Sequence, residues 1–354
     1  METPLRIILI DDGGPGWAPI TQAAKVLATT LEGELYRFPL NHNYSRKTKL
    51  RSTLPRIRGK RYNALLISPV PSGLYAAAEM LDRHAAQVYG WVIDSFWWDR
   101  IPRIVNPPLK TWQFFDHIYV SDGQDVSAWE SRTGVSVSCL PWGADVKTAL
   151  SVTEELKKNT DLTRIGRQPA AWDDDLATGE AAAKHSLAFS GRPPFGKDHD
   201  DTTALYQAYA HTKAVLAFNN LVSPANYTHH ERSYLTARWT DSCAYGALTA
   251  GIPPESPTTK KLLPDWTQVR LSTTDVHGSL SELHSALSEW TPELSRKLQL
   301  HAAENLDWRR HATQVARDLG LDTTQAKDSH EAVIATARQN LIKDSTTPPQ
   351  DWDG

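Results

Sequence analysis

Sulfur is scarce in this chain: two cysteines and two methionines in 354 residues. Cys139 and Cys243 lack metal-ligand spacing and sit in apolar surroundings. That excludes a disulfide framework and reads as two buried thiols in a reducing compartment. No apolar run approaches the length of a membrane span, and the first ten residues read as a strand entering a turn, not as a signal peptide. The expectation is a soluble, cytoplasmic protein, with peripheral membrane contact left open. A charge excess is missing too: 38 Lys and Arg stand against 41 Asp and Glu, for a net −3. That balance disfavours nucleic acid as the main partner. There is no G-x-G-x-x-G, hence no dinucleotide fingerprint, and no H-E-x-x-H. His229-His230 lacks a third ligand at a helical spacing, so no metal site is expected. What is plentiful is tryptophan, thirteen in all. Rings of that size pack cores first and stack on bases or sugar faces second.

At this length one hydrophobic core is near its limit, so two domains are expected. A β-branched run over 6–10 feeds Asp11-Asp12-Gly13-Gly14-Pro15-Gly16, and a helical pattern follows from 18 to 31. Strand, glycine-rich turn, helix is how a doubly wound α/β sheet begins. Backbone N–H groups at Gly13, Gly14 and Gly16 could approach phosphate or sugar oxygens there; a plain turn is the equal alternative. Strands over 34–38, 62–68, 87–93, 115–121 and 135–140 would complete the sheet. The segment 41–60 carries seven Lys and Arg residues, 46–60 most densely. It reads as a solvated loop first and as an attractor of anionic substrate or membrane second. The fourth strand ends on Asp94, followed by Ser95-Phe96-Trp97-Trp98. An acid at a strand's carboxyl end beside three aromatics is a candidate base in an acceptor pocket. The same rings would serve equally well as packing.

The first domain closes at Pro141-Trp142-Gly143-Ala144-Asp145, a hinge is placed over 146–160, and the βα pattern restarts. A strand over 162–166 is followed at once by Arg167. A short one over 186–189 is followed by Gly191-Arg192. A third, over 214–218, ends on Asn219. Arginines just past strand ends suit a diphosphate, because the planar guanidinium bonds oxygens in pairs. The stretch from Ser233 to Pro254 is the pivot. Arg238 and Asp241 share a helix face one turn apart, Gly246 stands where a left-handed cap would stop the helix, and a short strand follows. An ordinary surface ion pair is the competing reading. Helices over 276–288, 292–304, 308–319 and 331–342 finish the chain, with a frayed end from 343. The expected division is 1–145, 146–325 and a terminal helix with tail over 326–354.

Four pieces together resemble a known family. They are the strand, helix, strand and Leu140-Pro141-Trp142-Gly143-Ala144-Asp145 exit of the first half, Ile165-Gly166-Arg167 opening the second, Arg238 to Gly246, and closing helices with Asp307-Trp308-Arg309-Arg310. The chain resembles glycosyltransferases of the group-1 or CgeB-like type. The resemblance implies two Rossmann-like domains facing across a cleft, the GT-B architecture. It implies a metal-independent transferase without an organic cofactor, taking a nucleotide-diphosphate sugar such as a UDP-sugar and delivering the sugar to an acceptor hydroxyl of unknown identity. In that family the helix acid binds the ribose hydroxyls, a role that maps to Asp241. The glycine after the helix lets backbone approach the diphosphate, which maps to Gly246 and Ala247. Arg167 maps beside the phosphates, with Arg238 and Arg192 assisting. Ser233, next to Tyr234, stands where relatives place a glutamate facing the donor sugar, so the sugar and the stereochemical outcome stay open. Asp94 is the candidate catalytic base and Arg238 the candidate catalytic cation. Two rivals remain: a sugar-nucleotide 2-epimerase, and a non-catalytic nucleotide- or glycan-binding protein of the same fold.

Overall fold

A computed structural model describes residues 3–10, 17–39, 59, 61–76, 85–100, 112–155, 157–194 and 201–346. The turn carrying Gly13, Gly14 and Gly16 lies outside the described residues, as does the basic loop apart from Gly59. The strands are β1 Leu5–Ile10, β2 Glu34–Phe38, β3 Tyr62–Ser68, β4 Ala85–Val92, β5 His117–Val120, β6 Val137–Cys139, β7 Thr160–Arg164, β8 Phe189–Ser190, β9 Thr212–Phe218, β10 Leu248–Ile252 and β11 Gln268–Arg270. The α-helices are α1 Ala18–Thr30, α2 Val126–Thr133, α3 Val146–Val152, α4 Asp175–Lys184, α5 Asp201–His211, α6 Ala237–Ala244, α7 Pro257–Leu262, α8 Val276–Ser288, α9 Pro292–Asn305, α10 Trp308–Leu319 and α11 Thr324–Thr346.

Two sheets form, in the orders β2-β1-β3-β4-β5-β6 and β11-β10-β9-β7-β8, and every strand pair is parallel. In each, the first strand of the sheet lies between its second and third. Each sheet is therefore doubly wound, with a switch point between β1 and β3 in one and between β7 and β9 in the other. The fold is two Rossmann-like α/β units in series. The parallel strands are near-continuous apolar runs because helices cover both faces; β3 is buried along its whole length.

The chain groups into two compact units: 1–142 with 256–258 and 308–327, and 143–255 with 259–307 and 328–354. The end of the chain therefore differs from the expected division, since α10 belongs with the first sheet. The Trp308 ring meets Trp91 edge-on at 5.5 Å and Trp142 at 6.2 Å. His311 Nε2 lies 2.9 Å from the Pro141 carbonyl. The Tyr119 hydroxyl donates to Asp318 Oδ2 and the Tyr89 hydroxyl to the Asp318 carbonyl, both at 2.7 Å. Several tryptophans are thus spent on packing the first unit: Trp91, Trp129 and Trp308 are all buried.

In the second unit the expected hinge over 146–160 contains α3. Its first turn is held by Asp145, whose Oδ2 accepts from Thr148 Oγ1 at 2.5 Å, and by Asp307, whose Oδ2 accepts the Val146 N–H at 3.1 Å. The expected terminal helix starts earlier and runs past the predicted fraying point, because Asp344 near its end ion-pairs with buried Arg296 at 2.6 Å.

Candidate functional site

The switch point of the second sheet gathers most of the residues singled out above. β7 ends at Arg164 and β9 at Phe218, and the segments that leave them carry Gly166, Arg167 and Asn219. Arg238, near the start of α6, reaches these strand ends. Its Nη1 donates to the carbonyls of Arg167 at 3.2 Å and Ile165 at 3.4 Å, and its Nη2 to that of Phe218 at 3.1 Å. Parallel strands leave their last carbonyls unpaired at this edge, and a guanidinium with five N–H groups in a plane satisfies several at once. Burial, together with the neighbouring Arg167 charge, pushes Arg238 down to about 10, still fully charged at neutral pH.

Among the described residues Arg167 differs from Arg238 in having no hydrogen-bond partner for its guanidinium. Its Nε is buried without one, and its Cζ stacks 4.7 Å from the centre of the Tyr227 ring. Among the described residues neither arginine makes an ion pair. The α6 N-terminus opens at this same edge, and Thr236 at its N-cap makes no side-chain cap bond. The Thr236 hydroxyl and the Gln168 side-chain amide oxygen Oε1 are also buried with no partner among the described residues. Two positive charges, a helix start and unsatisfied polar atoms form a site with the chemistry of an anion seat.

The remaining residues are placed otherwise than the pivot helix suggested. Asp241 shares α6 with Arg238 but is 5% exposed. Burial, reinforced by the Asp145 carboxylate, raises its carboxyl well above the usual range. Among the described residues its Oδ2 has no hydrogen-bond partner; burial first, and the nearby Asp241 carboxyl second, push the phenols of Tyr206, Tyr209 and Tyr245 upward.

Gly246 does adopt the left-handed conformation, φ +72°. The N–H of Gly246 bonds the Cys243 carbonyl at 3.0 Å and the N–H of Ala247 bonds the Ser242 carbonyl at 2.8 Å. That is a complete Schellman cap, so both N–H groups assigned to the diphosphate are already used. They also lie at the amino end of β10, the opposite edge from Arg238.

Asn219 is buried and engaged: Oδ1 accepts from the N–H of Leu221 at 2.9 Å and Val222 at 3.3 Å, and Nδ2 donates to the Pro253 carbonyl at 2.9 Å. The Ser233 hydroxyl accepts the Glu255 N–H at 2.9 Å, and Tyr234 is buried with its own N–H on Asn220 Oδ1 at 3.3 Å. Arg192 lies apart, in an open depression of about 500 Å³ lined by Arg164, Asp173, Asp174 and Asp175. Three carboxylates around it make this a poor phosphate anchor. The Arg192 N–H and the Arg164 guanidinium outweigh burial there and hold Asp175 below its ordinary value.

Asp94, in the first unit, follows β4 at the carboxyl edge. Its backbone is tied on both sides, N–H to the Pro69 carbonyl at 2.8 Å and carbonyl from the Trp97 N–H at 3.3 Å. Next to it the Ser95 hydroxyl donates to Asp125 Oδ2 at 2.7 Å, and the Ser95 carbonyl accepts from Trp129 Nε1 at 2.8 Å. Burial alone raises the Asp94 carboxyl to about 7, and its oxygens make no hydrogen bond or ion pair among the described residues. The aromatics after it are packed inward: Phe96 and Trp97 are 8% and 6% exposed, and Trp98 carries the Arg132 guanidinium at 4.7 Å.

Sequence reasoning passed over Tyr227, Thr236 and Gln168. The only pattern the Tyr227 segment offers is His229-His230, a metal-ligand signal, and a stacked tyrosine has no spacing signature. Among the described residues no group of three His, Cys, Asp or Glu side chains could hold a metal ion, and no helix is long and apolar enough to cross a membrane.

No protein-family model matches the chain, and no curated protein sequence does either. The expected kinship with group-1 or CgeB-like glycosyltransferases thus has no family-level support. A solved α1,3-fucosyltransferase structure is similar over 97% of this chain and 93% of its own, with 11% identity and a TM-score of 0.40. A likeness that shallow carries no conclusion about activity.

Proposed function

We propose that the second unit binds a nucleotide-diphosphate sugar at the β7/β9 edge and that the protein is a metal-independent glycosyltransferase acting on an acceptor hydroxyl. The observation that carries this reading is Arg167 beside Arg238: two guanidinium groups at a switch point with no carboxylate among the described residues compensating either. A partly buried positive pair of that kind is poised for an anion, and the fork geometry of arginine suits the oxygens of a diphosphate. Arg238, fixed by the carbonyls of Ile165, Arg167 and Phe218, supplies a stationary charge. Arg167, with its donors unspent, supplies the contacts.

In transfer, the acceptor oxygen bonds to the anomeric carbon, the bond from that carbon to the diphosphate oxygen breaks, and the diphosphate leaves with the electron pair. The two arginines and the α6 N-terminus stabilise the charge that develops on it. They take the part that a divalent cation plays elsewhere, and no organic cofactor is required. The acceptor's proton goes to a base. Asp94 suits that role because its carboxyl titrates near 7, where a base is both available and strong enough to take a proton.

The test is nucleoside-diphosphate release across a panel of UDP-, GDP- and ADP-sugars, with binding of the free diphosphates measured by calorimetry. Arg167→Ala weakens that binding at least tenfold while leaving the fold intact. If Arg167→Ala binds as the parent does, or if the parent binds none of the diphosphates, the reading is wrong.

A further inference from the structure

Tyr227 is 64% exposed, yet the loop that carries it is closed by hydrogen bonds on both sides. It sits in the 219–236 connection, which leaves β9 at the same edge as Arg167. The Thr228 N–H bonds the Ala225 carbonyl at 2.9 Å, and the Ala225 N–H bonds the Thr228 hydroxyl at 2.9 Å, so Tyr227 occupies a closed turn. Behind the turn, Asn220 Nδ2 donates to the carbonyls of His229 at 2.9 Å and Arg232 at 2.7 Å. His229 Nδ1 accepts the N–H groups of Glu231 at 3.0 Å and Arg232 at 3.1 Å.

One face of the Tyr227 ring is taken by the Arg167 guanidinium. The rest of the ring is open to water, and a tyrosine ring offers a flat partner an apolar face to stack on. Bracing the backbone beneath it lowers the ordering cost of a partner that binds there.

We propose that the outer face of Tyr227 is the seat of the nucleobase, so that one residue, Arg167, couples the two halves of the ligand: its donors meet the diphosphate and its plane supports the ring on which the base stacks. This rests on the diphosphate site proposed above and adds which part of the ligand lies where. Stacking on one aromatic ring tolerates any base, since every base has a π face. The seat alone therefore fixes the class, a nucleoside diphosphate, and selects weakly among UDP, GDP and ADP.

Two ligands separate the halves: a nucleoside diphosphate, and inorganic pyrophosphate, which has no base. Tyr227→Ala is expected to weaken UDP or GDP binding by roughly five- to a hundredfold and to leave pyrophosphate within twofold of the parent. Tyr227→Phe and Tyr227→Trp retain nucleotide binding, because the ring rather than the hydroxyl is used. Arg167→Ala weakens both ligands. If Tyr227→Ala binds the nucleotide as the parent does while the parent discriminates it from pyrophosphate, the base lies elsewhere and the diphosphate site stands. If Tyr227→Ala weakens pyrophosphate equally, the ring serves only to hold Arg167, and the seat is refuted. If the parent binds neither ligand, both proposals fall together.

Discussion

Arg238 lies across Gly166: a Cβ on Gly166 would stand 3.0 Å from both Cδ and Nη1 of Arg238. Gly166 also holds φ +76°, a region where an L side chain costs about 1–2 kcal/mol. Gly166→Ala therefore imposes strain and pushes the guanidinium off the carbonyls of Ile165, Arg167 and Phe218. Gly134, at φ +65° with nothing within 4 Å of its hypothetical Cβ, is the natural control. Gly134→Ala is expected to cost strain alone. Gly166→Ala is expected to cost about 1–3 kcal/mol in urea unfolding and to weaken nucleoside-diphosphate binding as well. Equal unfolding costs and unchanged binding in both variants would argue that Arg238 adapts freely.

Asp94 yields a pH prediction with a definite sign. Its folded value of about 7 lies above the ordinary 3.8. The stability linked to its neutral form is complete below about pH 4 and is lost as pH rises through 7. The melting temperature of the parent should fall over that window, and Asp94→Asn should flatten part of the fall. If Asp94 takes the acceptor proton, kcat/KM rises with pH through about 7, and Asp94→Asn lowers it roughly 10²–10⁴-fold and removes that limb. A variant that keeps the limb excludes Asp94 as the base.

Much of the framework is legible because local rules and tertiary packing agree. β2, β3, α8 and α10 lie at the bounds their apolar patterns predict, and the Gly246 cap follows from a glycine just past the last buried turn of α6. Partnership is the part that pattern does not carry. The strongly amphipathic α10 announces a buried face, but not that the face meets β4 tryptophan and β5 tyrosine side chains. The same limit applies to the pivot. A spacing of three puts Arg238 and Asp241 on one side of α6. It does not reveal that the longer side chain reaches the strand ends while the shorter one stays buried near three tyrosines. The N–H groups of Gly246 and Ala247 are a further case: a motif locates them, but only the closed cap shows that they are spent.

Gly246 separates a structural role from a binding one. A Cβ there would run into the Ser295 hydroxyl and stand 2.9 Å from the Ser295 carbonyl of α9, on top of the left-handed strain. Gly246→Ala is expected to destabilise the fold by about 3 kcal/mol or more. Adding Ser295→Ala should recover only part, since the carbonyl contact remains and the Ser295 hydroxyl's bond to the Gly246 carbonyl, 2.7 Å long, is lost. Nucleoside-diphosphate affinity per folded molecule, measured below the unfolding transition, should not change. A selective loss of affinity would return the backbone at Gly246 to the ligand site.

The second unit's C-terminal helix depends on one buried cation. Arg296, 3% exposed, donates through Nε to Asp344 at 2.6 Å, through Nη1 to the Thr153 carbonyl at 3.0 Å and through Nη2 to the Glu154 carbonyl at 2.9 Å. It thereby ties α11 to α9 and to the end of α3. Removing one partner of a buried pair costs about 3–5 kcal/mol, mostly through the group left unsatisfied. Arg296→Met strands the buried Thr153 carbonyl and leaves the Asp344 carboxylate without its cation, and is expected to approach that cost, with faster hydrogen exchange concentrated in 328–346. Asp344→Asn keeps an acceptor oxygen for the guanidinium and should cost about 1 kcal/mol. If Arg296→Met instead melts the unit uniformly, with no excess exchange in α11, the arginine supports the core as a whole and does not act as the clasp of this helix.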